Sequence, residues 1–508
     1  MTQSETAPTA PSPAMTSAEI LAVLSGLMLG MFLAALDQSI VGTALKTIVT
    51  DLGGAEHVSW VVAAYLITST VSTPLYGKIS DLYGRKPVYQ FAIGVFLLGS
   101  VVAGFSQSMV MLILARAIQG LGGGGLLSLA FTIIGDMVSP RDRGKYQGYF
   151  GAVFGLSSVA GPLLGGLFTD TIGWHWIFFV NVPIGIVAWL VVGARLNLPF
   201  TRREHHIDYL GALTLVAGVS AALLVTQWGG QDYAWGSATI LGLSAASVLL
   251  LGAFLLVERR SPEPILPLRL FRNRTFSLVN TAQFLIALGM FGAIIYVPFY
   301  LQLVRGHSAT EAGLLMIPVM VGILVTSISS GQAISRIGRW KPFPVAGTAI
   351  FTVGLALMAT LTVTTSMWAL SAYLVVIGAG LGLTMQTLVL AVQNDSDPAE
   401  LGVATSSVAF SRSLGGAIGT AIFGAIVTAG TTLTAGPDGR PQLDLVAYTD
   451  AVARGFLVAV PLGVVAFVLV SLLRSTRLRA SSGLVAQAQQ REAQQAAAAR
   501  AEAAAAQA

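Results

Sequence analysis

Residues 77–87 read GKISDLYGRKP. Four charges, on Lys78, Asp81, Arg85 and Lys86, sit in eleven residues of a chain in which only 10% of residues are charged. On either side lie about twenty residues without any charge. The pattern predicts a short polar turn between two long apolar helices. The rest of the chain points the same way. It has 508 residues, 54% of them hydrophobic, with a mean hydropathy of +0.76. Soluble domains are about a quarter charged, so the solvent for most of this surface is a bilayer. The chain has no cysteine, which excludes disulfides and thiolate chemistry.

A spanning helix takes about 20 mostly apolar residues. Fourteen stretches qualify, at 19–43, 58–80, 88–106, 109–134, 146–168, 176–196, 208–228, 236–257, 276–303, 310–333, 343–363, 368–393, 404–429 and 454–473. In lipid every backbone polar group must be paired within the segment, and the alternation of barrel strands is absent, so these are helices. With both termini inside, the inner connections collect Lys78, Arg85 and Lys86, then Arg141, Arg143 and Lys145, then Arg195, Arg202 and Arg203. Further along they collect Arg259, Arg260, Arg269, Arg272 and Arg274, then Arg336, Arg339 and Lys341, then Arg474, Arg477, Arg479, Arg491 and Arg500. Outside fall Lys46, Arg305, Arg440 and Arg454, and within spans Arg116 and Arg412. This is the positive-inside pattern. It assigns the net charge of +5 to anionic lipid and not to nucleic acid. Residues 1–17 lack a basic n-region and read as a disordered tail; residues 475–508 read as a low-complexity cytoplasmic tail.

The opening stretch has an echo. Residues 331–342 read GQAISRIGRWKP, again Gly, then Ile-Ser, Gly-Arg and Lys-Pro, with Arg336 where the first copy has Asp81. Both copies follow the second span of a six-span block. The chain therefore divides into a six-helix bundle at 18–200, two inserted helices at 201–262 and a second six-helix bundle at 263–474.

At this point the sequence resembles the major facilitator superfamily, in its fourteen-helix drug:proton antiporter branch. GKISDLYGRKP is similar to that superfamily's loop between helices 2 and 3. ARAIQGLGGGG (115–125) is similar to its helix-4 motif, with Arg116, Gln119 and Gly120 in place. GPLLGG (161–166), with Gly148 upstream, resembles the antiporter signature on helix 5, with Ser157 standing where glycine is usual. LDQSIVGTALKTI (36–48) resembles the helix-1 motif of the branch; it departs at Gly42 and Lys46. GWHWIFFVNVPIG (173–185) resembles the start of helix 6, with His175 where Arg is common. The resemblance implies an all-α polytopic membrane protein of the major facilitator fold, with two six-helix bundles, two inserted helices, fourteen transmembrane helices and both termini cytoplasmic, in the plasma membrane of a bacterium.

Each motif carries an expected role. A transporter that rocks one half against the other needs contacts at its inner ends that form in one state and break in the other. The resemblance implies that Gly77, Asp81, Gly84, Arg85 and Lys86 form such a latch, with Gly77 allowing close packing and Gly84 a tight turn. A purely positive-inside anchor accounts for the cations but not for Asp81. Asp37 lies deep in helix 1, and Arg116 falls at a similar depth in helix 4. Ionisable groups there mark a pathway unless they only pair with each other; the expectation is that Asp37, with Arg116, couples proton entry to export. Gly148, Gly161, Pro162, Gly165 and Gly166 are expected to give a tightly packed, kinked helix 5 that blocks leakage. Candidate cavity residues are Tyr65, Gln119, Gln283, Tyr296, Gln386, Asn394 and Arg412. Arg412 has three readings: it snorkels to the inner surface, pairs with Asp395, Asp397 or Glu400, or attracts an anionic substrate.

Other functions are disfavoured. Gly120, Gly122 and Gly125 fit G-x-G-x-x-G, but within an apolar span and with no strand before them; no G-x-x-x-x-G-K-[ST] occurs. No catalytic residue, metal, cofactor or nucleotide is expected. The expected partners are amphipathic small molecules (drugs, antibiotics or dyes), protons and the lipid bilayer. The alternatives are an exporter dedicated to one endogenous metabolite or antibiotic, and a polytopic transferase. The transferase would need an acid- or histidine-rich catalytic loop, and the longest outer loop, about 430–453, holds only Asp438, Asp444 and Asp450 among turn residues.

Overall fold

The computed structural model describes residues 17–54, 57–198, 208–230, 232–397, 400–431, 433–435 and 441–478. The two expected tails, apart from Ser17 and 475–478, lie outside the described residues, as do Arg202, Arg203, Arg440, Arg479, Arg491 and Arg500.

The first half holds α1 (Ser17–Leu52), α2 (Val58–Tyr83), α3 (Arg85–Gly104), α4 (Met109–Met137), α5 (Pro140–Thr171), α6 (Trp176–Phe179) and α7 (Asn181–Arg195). Then come α8 (Tyr209–Trp228) and α9 (Ala238–Arg260). The second half holds α10 (Arg274–Leu303), α11 (Ala309–Leu314), α12 (Ile317–Ile337), α13 (Pro342–Met358), α14 (Met367–Asp395), α15 (Leu401–Gly430) and α16 (Leu445–Ser471). Two expected spans are broken: 176–196 divides at Val180 into α6 and α7, and 310–333 divides at Leu315 and Met316 into the short α11 and α12. The helix starts follow local chemistry. Ser108, Ser139, Ser237 and Ser366 each accept a backbone N–H from the first turn of the next helix.

Among the described residues, twelve helices are long and apolar enough to cross a bilayer. The α6–α7 pair counts as one of them. Of the other two expected spans, α13 is apolar but only 17 residues long, and α2, at 26 residues, carries Lys78 and Asp81 in its last turns. The all-helical expectation needs one amendment. A hairpin of β1 (Leu433–Ala435) and β2 (Pro441–Leu443) joins α15 to α16, with Leu433 opposite Leu443. This loop is long enough for its backbone groups to pair outside any helix. The last helix begins at Leu445, not at 454, because Asp444 accepts from Val446 N (2.9 Å) and Ala447 N (3.0 Å). Large apolar side chains face outward along the bundle, Phe91 at 64% and Val248 and Leu249 at 72% exposure, as a lipid-facing surface requires.

The two halves repeat one packing scheme. In α4, Gly120 and Gly124 sit against α2 at Tyr65 and Ser69, while Gly122 sits against α3 at Phe96 N. In α14, Gly378 and Gly382 sit against α12 at Val319 and Ile323, while Gly380 sits against α13 at Phe351 N. Each glycine-rich run thus lets one central helix touch two neighbours backbone to backbone, which explains GLGGGG without any phosphate. Gly99 of α3 completes the first half: a Cβ there would stand 2.5 Å from Gln119 N. Gly99→Ala is therefore expected to cost about 1–3 kcal/mol through overpacking, read as a lower Tm of the purified protein; an unchanged Tm would show that α3 and α4 can separate freely.

The inserted helices pair through Gly218, whose carbonyl accepts from Ser247 Oγ at 3.0 Å. Together they lean on the line where α2 meets α15, with Val71, Leu215, Val219 and Phe254 packed near Phe410 and Leu414.

Candidate functional site

Two clusters of polar side chains stand out, one inside the first half and one where the halves meet. The inner cluster centres on Asp37. Its carboxylate is fully buried and pairs with Arg116. Gln119 Nε2 donates to Asp37 Oδ1 at 2.7 Å and lies 2.7 Å from Ser100 Oγ; Asn181 Nδ2 approaches Asp37 Oδ1 at 3.4 Å and Ser100 Oγ at 3.2 Å. Arg116 also donates to Val61 O (3.0 Å) and Gln119 Oε1 (2.6 Å), and its guanidinium lies 4.4 Å from the Tyr65 ring centre. The packing brings these groups together. Gly120 lets α2 approach, carrying Val61 and Tyr65; Gly99 lets α3 approach, carrying Ser100; the break at Val180 starts α7 with Asn181 beside Asp37.

The expected Asp37–Arg116 juxtaposition is present, but the expected depth of Asp37 needs correcting. The first helix runs on to Leu52, past the expected end of the span at 43, so Asp37 lies about fifteen residues from its end. Tyr65 and Gln119 were expected to line a cavity; both are instead buried against this pair and hold it. Asn181 and Ser100 were missed. Asn181 stood inside the quoted helix-6 motif, an amide among apolar residues two places before Pro183.

The second cluster lies at the end of the bundle that carries the α2–α3 loop, called here the basic end. Gly84 makes the turn with φ +92°. Arg85 pairs with Asp81 (2.5 Å) and with Asp136 of α4 (2.7 Å), and its Nη1 donates to Ser80 Oγ at 2.5 Å. Asp81 then reaches the other half: Asp81 Oδ2 accepts from Val403 N of α15 at 3.1 Å. Helices leave their first N–H groups unsatisfied, and Glu400, at the cap position of α15, makes no side-chain cap bond. A carboxylate from the first half therefore caps α15 of the second. Gly77 permits the approach, its Cβ position lying 2.8 Å from Gly402 O. The echo docks likewise: Gly331 faces Gly144 of α5, Arg141 Nε donates to Ser335 O (3.3 Å), and Ser335 Oγ reaches Asp142 (3.4 Å). Nearby, Gln393 Nε2 donates to Phe131 O at 2.9 Å. Lys86 does not join this seam. Its Nζ donates to Asn197 Oδ1 at 2.9 Å within its own half, because the first turn of α3 points it away from α15.

The helix-5 glycines have distinct neighbours. Gly161 and Gly165 pack on α1 at Ser39 and Ile40, Gly148 on Ile328 of α12, and Gly166 is half-buried. Pro162 lies within the unbroken α5 and touches the Gly313 region of α11. Of the remaining cavity candidates, Gln283 donates to Met385 O (3.1 Å) and, like Gln386, holds a buried Oε1 without a partner among the described residues. Tyr296 reaches Thr420 O at 3.3 Å. Asn394 is no cavity residue: its amide donates to Thr476 Oγ1 (3.3 Å) and Arg477 O (3.4 Å), pinning the last turn of α14 to the segment after α16. Arg412 lies half-buried beside Phe154 of α5.

Two glycine-braced helical halves joined by a charged seam, with a buried ion pair inside one of them, suit a membrane transporter. The profile of the Major Facilitator Superfamily matches residues 27–420, and the chain belongs to that family, which makes it a transporter rather than an enzyme. It is 42% identical over 407 residues to the multidrug transporter protein MdtP of Bacillus subtilis, covering 80% of this chain and 75% of that one. It is 39% identical over 406 residues to multidrug resistance protein 3 of the same organism, covering 80% and 79%. Among solved structures, the proton:xylose symporter XylE superposes with a TM-score of 0.64 at 15% identity, over 93% of this chain and 99% of that one. The resemblance to the drug-efflux branch is thus supported, and the chain is a multi-pass protein of the cell membrane.

Proposed function

We propose that this transporter is a proton-coupled exporter of amphipathic small molecules, working by alternating access in antiport with protons. The observation that carries the reading is the fully buried Asp37, ion-paired to Arg116 and held by Gln119. A carboxylate so far from water is costly unless paired, and its protonation breaks the balance of the pair. The likeness to named multidrug transporters supports small-molecule cargo. On this reading fourteen helices cross the membrane, including α2 and α13. Both termini and the basic end face the cytoplasm, residues 18–200 and 263–474 are the moving halves, and 201–262 brace the seam between them. The contacts at the basic end then belong to the state closed to the cytoplasm. Gly148, Gly161, Pro162 and Gly165 keep α5 sealed against α1 and α12 throughout.

The test is flux in inverted vesicles or liposomes under an imposed proton gradient, screened against varied amphipathic compounds. Several compounds dissipating the gradient is the expected result. A single one would mark a dedicated exporter, and transport that persists at equal rate and extent with pH difference and voltage collapsed would remove proton coupling.

A further inference from the structure

Arg412 is unlike the other deeply placed cation. Arg116 faces Asp37, and the two charges offset one another. Among the described residues, no carboxylate lies within ion-pair distance of Arg412. Two of the acids closest to it in sequence are engaged elsewhere: Asp395 accepts from Asn273 Nδ2 at 3.0 Å, and Glu400 pairs with Arg269. Nor can Arg412 reach the basic end. The helix that carries it begins at Leu401, so Arg412 stands about eleven residues in, roughly 17 Å along the axis at 1.5 Å per residue. That is near the middle of a hydrocarbon core about 30 Å thick, beyond what a snorkelling side chain spans. Its guanidinium carbon lies 6.0 Å from the Phe154 ring centre. Phe154 belongs to α5, in the other half, so Arg412 reaches across the space between the halves. Both side chains are only partly buried, and the flanking Ser411 Oγ is tied to Asn280 Oδ1 at 2.9 Å, which fixes this turn of α15 against α10.

A cation at this depth without an anion is costly, and such groups mark substrate pathways. The missing partner is supplied most simply by the cargo. We propose that Arg412 and the face of Phe154 form an anion subsite between the halves, and that the cargo class is the aromatic organic anion, a carboxylate or phenolate on an apolar body. This rests on the reading that the protein exports small molecules, and it narrows that class. A guanidinium binds a carboxylate through two parallel hydrogen bonds in a fixed fork, and the low local dielectric strengthens the attraction. The aromatic ring covers the apolar part of the same ligand. Because Asp37 is neutralised by Arg116, the described residues offer a cationic cargo no free counter-charge of comparable depth.

The test compares two probes on one xanthene scaffold, fluorescein as the anion and rhodamine 6G as the cation, binding to the purified full-length protein by fluorescence anisotropy at a pH where fluorescein is ionised. Fluorescein is expected to bind, and Arg412→Gln to weaken it at least tenfold. Arg412→Lys, which keeps the charge but loses the fork, should lie between, and it keeps the comparison available if the glutamine variant does not fold. Rhodamine 6G is expected to bind the wild type more weakly and to be unaffected or improved by Arg412→Gln. No fluorescein binding, fluorescein binding indifferent to both substitutions, or tighter wild-type binding of rhodamine 6G each overturns the proposal. Flux separates the two readings: fluorescein that binds through Arg412 but is not moved by a proton gradient in liposomes keeps the subsite and removes the proton-coupled exporter.

Discussion

Arg116→Leu is expected to cost about 3–5 kcal/mol of stability, and adding Asp37→Asn to return most of it. Breaking a buried ion pair by removing one partner leaves an uncompensated charge, and that penalty is of this size. Asp37 has no exposed surface through which water could take over from Arg116. Gln119 and Asn181 would remain within reach of its carboxylate, but neutral amides do not cancel a charge. An asparagine at position 37 removes the charge while keeping the shape. The double variant should therefore unfold near the wild-type temperature, whereas the single arginine variant should unfold well below it or fail to accumulate. Additive losses in the double variant would show that the pair is held by packing and not by charge. The same Asp37→Asn change, alone, should abolish uphill export. A membrane potential of 100 mV supplies about 2.3 kcal/mol per charge moved, enough for roughly a 50-fold gradient at 1.4 kcal/mol per factor of ten. Without a titrating group at position 37 the cargo should only equilibrate. Accumulation that still approaches the wild-type ratio would remove Asp37 as the proton carrier.

Much of this site was legible because the residues that build it are chemically out of place. An acid and an arginine in apolar runs, a burst of charge between two spans and a run of glycines within one each violate the composition around them, and each turned out to have a structural use. What was illegible depends on which face of a helix end a residue occupies. Lys86 and Arg85 are neighbours in sequence, yet the turn of α3 sends Arg85 to Asp136 and Lys86 to Asn197. Asn394 reads as a polar residue in a span, but the final turn of α14 is pinned from below by Thr476 and Arg477. Helix ends misled in a second way. Apolar periodicity ended the first helix near residue 43, while the helix itself continues to Leu52, where Asp51 accepts from Trp174 Nε1 at 2.8 Å. A further repeat was also available: Gly120, Gly122 and Gly124 correspond to Gly378, Gly380 and Gly382, and the matching contacts of Gly99 on Gln119 and Gly354 on Ile377 confirm the alignment. By that alignment Ile377 replaces Gln119 and Leu374 replaces Arg116, so the second half repeats the packing without the ion pair. Among the described residues, the deep ion pair is thus confined to the first half.

Asp81→Asn is expected to slow transport about tenfold or more while leaving the fold intact. The carboxylate has two duties, pairing with Arg85 and capping α15 at Val403 N. The fold should survive because Asp136 still holds Arg85. The capping contact is what the change weakens. It is a charge-assisted hydrogen bond of the kind that contributes about 1.5–3 kcal/mol, placed where the helix dipole favours a negative charge. Since α15 has no side-chain cap of its own, no substitute is at hand in the second half. On the proposed alternating-access cycle the loss falls on one state only, since the bond would form when the basic ends meet and break when they part, so the closed-to-open ratio should drop by roughly ten- to a hundredfold. The chain's lack of cysteine makes this measurable. Thiols introduced as Arg141→Cys and Ser335→Cys sit on opposite halves of the same seam. A short thiol crosslinker should join them quickly when Asp81 is present and slowly when the Asp81→Asn change is added. Equal crosslinking rates with slowed transport would place the effect of Asp81 elsewhere than in closing the seam; equal rates in both assays would remove it from the mechanism.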